Sequence, residues 1–144
     1  MMKIKKLYSN SIVPKRATQY SAGLDLFAHI DQPIEIATGE IAKIPTGIAI
    51  EIENGTAGFV FGRSGLGIKN GISPANAVGV IDSDYRGEII VGLINNSNEK
   101  YTIEPDDRIA QLIVMKIELP EIVECDELCE TSRGEGGLGS TGKK

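Results

Sequence analysis

Apolar and polar residues alternate along much of the first half of the chain. Between positions 34 and 52 six of the seven isoleucines occupy even-numbered positions: Ile34, Ile36, Ile44, Ile48, Ile50 and Ile52. A period of two residues is typical of β-strands that bury one face. Further apolar runs follow at Gly58–Phe61, Ile89–Ile94 and Ile109–Ile117, separated by breakers such as Asn95–Asn98. Many short strands at this spacing predict an all-β sandwich or barrel, in which only Ser64–Asn70 is expected to form a short helix.

One segment combines this strand pattern with chemically active side chains. Val78–Ile90 reads VGVIDSDYRGEII, two apolar arms around a polar turn that contains a glycine. This pattern predicts a β-hairpin. Asp82 directly follows one arm and Tyr85 precedes the other, so we expect both to be half-buried. A carboxylate in that position is costly to bury without a partner or a role, which makes Asp82 a candidate catalytic residue. The alternative is a structural turn with two carboxylates and a packing tyrosine.

Composition narrows the class of protein. At 144 residues the chain is expected to form a single domain over residues 1–144 that buries about two-thirds of its unfolded surface. Seventeen glycines favour a loop-rich β protein. The net charge of −5 argues against non-specific binding of nucleic acid. The N-terminus lacks the apolar core of a signal peptide and no segment is long enough to span a membrane, so we expect an intracellular, cytoplasmic location.

Cysteine and histidine chemistry is sparse. Cys125 and Cys129 form a single C-x3-C pair, and with one histidine in the chain they cannot complete the usual four-ligand zinc site. Two reduced thiols are the better interpretation. A histidine-assisted nucleophile could be built only with His29, which we expect instead at the surface or at a strand end. The segment from 118 to 130 holds six acids and no Lys or Arg, as a solvated face or linker would.

Two glycine-containing segments are candidate phosphate sites. Arg63-Ser64-Gly65 offers a guanidinium, a hydroxyl and backbone amides, although Ser64 could simply cap the helix. The tail Thr131–Gly142 has one large apolar residue and is expected to be mobile unless a ligand orders it. Its glycines would let backbone amides converge on an anion, with Arg133 among the added donors; a flexible linker is the alternative. Asn76 lies in a turn, where its amide could bond a base or close the turn.

Five segments together resemble a known family. They are AGLDLFA (Ala22–Ala28), GRSGLG (Gly62–Gly67), GVIDSDYRGE (Gly79–Glu88), RIAQLI (Arg108–Ile113) and RGEGGLGSTG (Arg133–Gly142). In this order they resemble the five motifs of the trimeric dUTPases and extend over almost the whole chain. The resemblance implies a distorted jelly-roll β-barrel with one short helix and a mobile Gly-rich C-terminal tail. It also implies a core and acidic spacer over 1–130, a phosphate-closing tail over 131–144, and a homotrimer whose active sites are shared between subunits.

The resemblance implies hydrolysis of dUTP to dUMP and pyrophosphate, which keeps dUTP low and supplies dUMP for dTTP synthesis. Asp82 would activate the water that attacks the α-phosphorus, and Tyr85 would pack on the deoxyribose and exclude a ribose hydroxyl. Uracil would be read by the backbone of the hairpin arms, with an amide assisting; these positions are Asn76, Gly79, Val80, Ile81 and Ile90. The phosphates would be held by Arg63, Ser64 and Gly65, with Gln111 near the α-phosphate or the attacking water. The tail residues Arg133, Gly139, Ser140 and Thr141 would close over the β- and γ-phosphates.

The resemblance also implies Mg²⁺ carried on the triphosphate, which suits the preference of this ion for phosphate and water oxygens. Asp25 would touch the ion through water, or would be a buried structural carboxylate. The chain departs from the family at Leu138, where a phenylalanine usually stacks over the uracil; losing that stacking costs about 0.5–1.5 kcal/mol. At Gly62 it lacks a frequent proline, which loosens the turn before Arg63.

Two rival functions are considered. A dCTP deaminase of the same fold shares the Ile-Asp-x-x-aromatic-x-Gly frame. Such deaminases place a catalytic glutamate where this chain has Gly92, and they favour glycine where it has Asp84. The other rival is a regulatory protein that binds dUTP without hydrolysing it, against which the retained Asp82, Tyr85 and Arg63 argue.

Overall fold

The computed structural model describes residues 1–137, within which the chain forms eleven β-strands and one helix. The strands are β1 (Lys3–Lys6), β2 (Leu24–Phe27), β3 (Ile34–Ile36), β4 (Ile41–Pro45), β5 (Ile48–Glu51), β6 (Thr56–Phe61), β7 (Ile72–Pro74), β8 (Gly79–Ile81), β9 (Ile90–Asn95), β10 (Tyr101–Ile103) and β11 (Arg108–Lys116). Helix α1 (Ser64–Asn70) lies between β6 and β7, where the sequence predicts it. It ends at Gly71, whose φ of 69° belongs to the left-handed region that glycine adopts without strain.

Antiparallel pairing joins strands that are distant in the sequence. A four-stranded sheet has the order β2-β11-β6-β8 and a three-stranded sheet the order β4-β9-β7. The pairs β1-β5 and β3-β10 complete the barrel. The last strand, β11, lies between β2 and β6, which is the crossed order of a jelly roll rather than of a meander. The predicted all-β jelly-roll fold with one short helix is confirmed.

The isoleucine alternation builds the core. Five of the six isoleucines are at most 5% exposed: Ile36, Ile44, Ile48, Ile50 and Ile52. Ile34 is partly buried and packs against the same cluster. Leu26, Leu93 and Leu112 from the two larger sheets are fully buried beside them. Burial of each such side chain contributes about 2 kcal/mol, so the alternation is the main force that closes the barrel.

The two arms of the predicted hairpin do not pair, and that prediction was wrong. β8 pairs with β6 in the four-stranded sheet, whereas β9 pairs with β4 and β7 in the other. Ile81 ends β8 and Ile90 begins β9, which leaves eight connecting residues. Hairpin loops usually have two to five residues, so a connection of this length lets the arms diverge. The divergence opens a cleft between the sheets.

The remainder of the described chain carries little regular structure. Every residue from 118 to 130 is exposed and none belongs to a helix or strand, as expected of a solvated spacer. Cys125 and Cys129 lie in this segment, both unpaired and exposed. His29 follows the end of β2 and stacks on Tyr8, with ring centroids 4.7 Å apart. In the part of the chain that the structure covers, no helix has the length and apolar character needed to cross a bilayer.

Candidate active site

The cleft between β8 and β9 gathers much of the predicted site. It has a volume of about 280 Å³. Seven predicted positions line it: Asn76, Gly79, Val80, Ile81, Asp82, Tyr85 and Ile90. The remaining wall comes from Val60, Pro74, Glu88, Ile89, Val91 and Gly92. Val80 and Ile90, on opposite sides of the cleft, are 62% and 54% exposed, so apolar surface is available to a planar ring.

A tight loop places Asn76 at one end of the cleft. Ala77 adopts a φ of 61°, and its N–H donates to the Pro74 carbonyl at 3.1 Å. The Val78 N–H donates to the Asn76 carbonyl at 2.7 Å, so this backbone closes the turn without help from the Asn76 side chain. A Cβ on Gly79 would lie 3.5 Å from Asn76 Nδ2. The Asn76 amide is therefore available beside a strand position that carries no side chain.

A turn at the other end carries Asp82 and Tyr85. The Tyr85 N–H donates to the Asp82 carbonyl at 3.1 Å. Arg86 Nη1 braces the same turn by donating to the Ser83 carbonyl at 2.7 Å and the Tyr85 carbonyl at 3.0 Å. The Asp82 side chain is exposed, so the prediction that it is half-buried was wrong, whereas Tyr85, at 46% exposed, is half-buried as predicted. The turn projects from the gap between two sheets, where solvent reaches it.

The Tyr85 ring is held against the backbone. Its hydroxyl donates to the Glu88 carbonyl at 3.0 Å. A Cβ on Gly87 would lie 2.5 Å from Tyr85 Cζ and 2.9 Å from Cε2, so the ring occupies space that a side chain at position 87 would need. The ring therefore lies over Gly87 at the mouth of the cleft.

A second group of predicted residues forms around Asp25, which is 8% exposed on β2. Its Oδ1 accepts a hydrogen bond from Arg63 Nε at 2.9 Å, and its Oδ2 lies 3.4 Å from Arg108 Nη1. Arg63 Nη1 also donates to the Arg108 carbonyl at 3.2 Å. Gln111 is opposite Asp25 in the β2-β11 register, and a Cβ on Gly23 would lie 2.7 Å from its Oε1. The carboxylate thus orients Arg63 beside Gln111.

These contacts bear on the helix start and on metal binding. Arg63, not Ser64, occupies the N-cap position of α1 and makes no side-chain cap bond, so the capping alternative for Ser64 was wrong. Ser64 and Gly65 are exposed.

Both Asp25 oxygens face arginines, which favours the alternative that Asp25 is a buried structural carboxylate. Its contact with a metal through water stays a prediction. No cluster of three or more His, Cys, Asp or Glu that could hold a metal ion occurs among residues 1–137.

The two groups lie at opposite ends of the four-stranded sheet. Ile81, next to Asp82, pairs with Gly58 on β6. Arg63 lies five residues after Gly58. An extended chain of that length spans about 16 Å, and Arg63 itself has an extended backbone. Within one chain, the candidate base Asp82 is therefore far from the candidate phosphate ligands around Arg63.

The described part of the tail folds back on itself. Arg133 Nε donates to the Gly136 carbonyl at 2.8 Å, and the Gly136 N–H donates to the Arg133 carbonyl at 3.0 Å. Gly134 has a φ of 48°, and its N–H donates to Thr131. The remaining predicted tail ligands lie outside the described residues: Leu138, Gly139, Ser140 and Thr141.

Sequence reasoning missed two residues of these sites. Glu88 lines the cleft, and its Oε1 accepts the Gly47 N–H at 2.7 Å across 41 positions. Arg108 shares the Asp25 carboxylate with Arg63. No local pattern marks the Glu88 contact, because it joins two distant loops. Arg108 stands in one of the five family-like segments, which was the only signal for it.

Comparison with known proteins places these features in a family. The dUTPase family model matches residues 9–142. A deoxyuridine 5'-triphosphate nucleotidohydrolase of Rickettsia felis is 52% identical over 143 residues, covering 98% of this chain and 96% of that protein. The one from Desulfitobacterium hafniense is 51% identical over 131 residues, covering 90% and 87%.

Solved structures agree in fold. The G164S mutant of the Staphylococcus bacteriophage 80alpha dUTPase, solved with dUpNHpp, superposes with a TM-score of 0.88 at 26% identity, covering 99% of this chain and 98% of that one. The D95N mutant dUTPase of the S. aureus phage phi11, described as revealing the coordination of a structural Mg(II) ion, gives a TM-score of 0.79 at 25% identity, with 88% and 97% covered.

Proposed function

The chain belongs to the dUTPase family, and we propose that it hydrolyses dUTP to dUMP and pyrophosphate at the cleft between β8 and β9. It is a hydrolase, a dUTP diphosphatase, and acts in nucleotide metabolism. The observation that carries the assignment of the site is the cleft itself. It has apolar walls, backbone groups that are accessible to a ligand, and the Asp82 carboxylate. We expect the enzyme to act inside the cell on a single nucleotide, dUTP.

The proposed chemistry centres on the Asp82 carboxylate. It accepts a proton from a bound water, whose oxygen attacks the α-phosphorus. The bond between the α-phosphorus and the bridging oxygen to the β-phosphate breaks, and pyrophosphate leaves. General-base assistance of this kind contributes about 10²–10⁴-fold in rate. The exposed position of Asp82 at the cleft mouth supports this role, since the attacking water comes from solvent.

Base recognition is assigned to the backbone of the diverging arms. Within the described residues β8 pairs on one side only, with β6, so the groups on its other edge are available to a ligand in the cleft. Backbone N–H and C=O groups that match uracil leave cytosine with mismatched donors and acceptors. Asn76 adds an amide at the same end. Gly92 in the cleft wall brings no carboxylate to the position that a dCTP deaminase would use.

Phosphate binding is assigned to the group around Arg63. Arg63, Ser64, Gly65 and Gln111 offer hydrogen-bond donors, and Arg63 is fixed by Asp25. A donor-rich group of this kind fits a triphosphate that brings its own Mg²⁺. The protein donors bind some of the phosphate oxygens, and the remaining phosphate oxygens are left for the ion. When bound, Mg²⁺ would neutralise charge on the phosphates; both Asp25 oxygens face arginines, so in this proposal Asp25 orients Arg63 and is not assigned to the ion. Arg133 and the tail would close over the β- and γ-phosphates.

The separation of the two groups supports a site shared between subunits. Asp82 and Tyr85 would come from one chain and Arg63 with Gln111 from a second, so that about 16 Å of sheet no longer separates them. The tail would come from a third chain of a homotrimer. The exposed spacer adds support, since it presents Leu119, Ile122, Val123 and Leu128 at 73–94% exposure. In the proposed trimer a neighbouring subunit would cover these side chains.

A nucleotide panel tests the proposed function. Pyrophosphate and ammonia release are measured with dUTP, dCTP, dTTP and UTP, with and without Mg²⁺. We expect Mg²⁺-dependent pyrophosphate from dUTP alone. Ammonia from dCTP would contradict hydrolysis and favour deamination. Binding of dUTP without turnover would favour the regulatory alternative.

Gly87→Ala is expected to lower selectivity for dUTP over UTP by about tenfold, the size of one lost contact. The added methyl would displace the Tyr85 ring that is proposed to exclude the ribose 2′-hydroxyl. Gly87 is not in a positive-φ conformation, so backbone strain is not the cause. The measurement is kcat/KM for both nucleotides. Gly67→Ala is the control, because its Cβ would meet only a backbone oxygen at 3.7 Å. Unchanged selectivity in Gly87→Ala would remove Tyr85 from sugar recognition.

A further inference from the structure

Thr46 holds one backbone carbonyl through two hydrogen bonds. Its hydroxyl donates to the Ile89 carbonyl at 2.6 Å, and its N–H donates to the same oxygen at 3.2 Å. The hydroxyl bond is the shorter of the two. Thr46 is 2% and Ile89 4% exposed, so water cannot readily replace either donor. A threonine in the connection between β4 and β5 therefore fixes the backbone directly before β9 begins.

The ladder between β4 and β9 becomes irregular at this point. Thr46 and Ile89 follow the last pair in the register, Pro45 with Ile90. In a regular antiparallel ladder such residues would exchange two backbone bonds. The Ile89 N–H donates instead to the Ile48 carbonyl at 2.9 Å. The Thr46 hydroxyl thus reinforces a carbonyl to which the ladder contributes a single bond at 3.2 Å.

The Ile89 carbonyl belongs to the same planar peptide group as the Ile90 N–H. In a trans peptide these two groups point in opposite directions, so a bond that fixes one also fixes the other. Thr46 holds the carbonyl on the β4 side. The Ile90 N–H therefore points to the opposite side of β9, and a rotation of this peptide would turn the N–H together with the carbonyl.

The opposite side of β9 opens onto the cleft. There the Gly92 carbonyl accepts the Ala75 N–H at 2.8 Å, and every second residue of an antiparallel strand directs its backbone groups to the same side. After Ala75 the chain turns away at Ala77, which has a φ of 61°. Ile90 is 54% exposed and lines the cleft. Its N–H therefore faces the space in which the base would lie.

We propose that Thr46 is a positioning residue, whose buried hydroxyl orients the Ile90 N–H toward a carbonyl oxygen of the uracil ring. This rests on the proposed function, in which the backbone of the diverging arms reads the base. Thr46 lies on the β4 side of β9, away from the cleft, and acts on the substrate only through the peptide that it holds. Its hydroxyl supports binding of the base and takes no part in the attack on the α-phosphorus.

Thr46→Val and Thr46→Ser test the role of the hydroxyl. Valine keeps the branched shape and removes the donor, whereas serine keeps the donor. We expect Thr46→Val to raise the KM for dUTP by about fivefold, the size of one weakened hydrogen bond, with kcat within about twofold of the wild type. Thr46→Ser is expected to keep both values within about twofold. Equal rises in KM for the two variants would overturn the proposal.

Thr56→Val is the matched control. Thr56 makes the same two bonds to one carbonyl, since its hydroxyl and its N–H donate to the Glu53 oxygen at 2.6 and 3.1 Å. It lies at the start of β6, outside the cleft walls described above. We expect the KM for dUTP to stay within about twofold of the wild type. A rise as large as that of Thr46→Val would show a general effect of losing such a hydroxyl and would overturn the proposal.

Sulfur-substituted substrates test whether the affected contact is with the base. 2-Thio-dUTP and 4-thio-dUTP each carry sulfur, a weak acceptor, in place of one carbonyl oxygen. With the analogue that lacks the acceptor for the Ile90 N–H, Thr46→Val should change KM by less than about twofold, because the bond is already lost. A rise of about fivefold with both analogues would overturn the proposal.

A measurement on the wild type keeps the proposal testable if Thr46→Val folds poorly. Enzyme labelled with ¹⁵N-isoleucine is titrated with dUMP, and the Ile90 amide resonance is assigned with Ile90→Val. We expect the Ile90 proton resonance to move downfield on binding, as it does when an N–H gains an acceptor. A resonance that does not move downfield would overturn the proposal. A wild type that does not turn over dUTP would instead be a failure of the proposed function, visible before any variant is made.

Discussion

Asp82→Asn is expected to reduce dUTP hydrolysis by about 10³-fold while nucleotide binding is retained. An amide has nearly the shape of a carboxylate but cannot take a proton from the attacking water. The side chain is exposed, and the Asp82 carbonyl that accepts the Tyr85 N–H is unchanged by the substitution. The fold and cleft should therefore survive. The measurements are pyrophosphate release at saturating dUTP and Mg²⁺, and calorimetric titration with dUTP.

Asp84→Asn is the matched control. Asp84 is an exposed carboxylate in the same turn, two positions away, and it does not line the cleft walls described above. We expect it to keep turnover within about twofold of the wild type, as surface substitutions usually do. An Asp82→Asn enzyme with normal turnover would assign the general base elsewhere. Loss of dUTP binding together with turnover would show that Asp82 holds the nucleotide rather than activating water.

The fold was predictable where its signal is local. Alternation of isoleucines places every second residue on a buried face. Each of these side chains contributes to the core whichever strand lies beside it. Strand pairing is not local. Val78–Ile90 has the composition of a hairpin, yet its arms join different sheets because β6 and β4 offer them separate partners. The position of β11 between β2 and β6 likewise depends on the whole chain.

The candidate site divides in the same way. The local pattern marked Asp82, Tyr85 and Asn76, the resemblance to a family added the other four cleft positions, and the structure brings all seven together. The burial of Asp82 was predicted wrongly, because the pattern of apolar neighbours does not reveal that the arms diverge. The bond between Glu88 and Gly47 could not be predicted, since neither residue is unusual in its own segment. Only the closed barrel brings them within hydrogen-bond distance.

Two inactive variants are expected to restore each other's activity when their chains assemble together. Asp82→Asn lacks the proposed base, and Arg63→Gln lacks the proposed phosphate ligand. If each site takes Asp82 from one subunit and Arg63 from another, about one site in three contains both wild-type residues in every trimer that holds both chains, which is about a quarter of the sites in an unsorted random mixture. Co-expression with two affinity tags isolates the mixed assemblies, and pyrophosphate release from dUTP measures them. Each variant alone should stay near the background.

A second mixture separates a shared site from one built within a single chain. Wild-type chains are assembled with chains that carry both substitutions. A shared site then needs a wild-type residue from each of two subunits, so about a quarter of the sites remain active, whereas a site within one chain leaves about half. Arg63→Gln removes one of the two arginines at Asp25 and leaves Arg108, so melting of each homotrimer is checked first. The opposite result would be half-maximal activity in this mixture together with no recovery in the first one. It would mean that Asp82 and Arg63 of a single chain act on the same substrate. The β8–β9 connection would then have to move to bridge the roughly 16 Å between them.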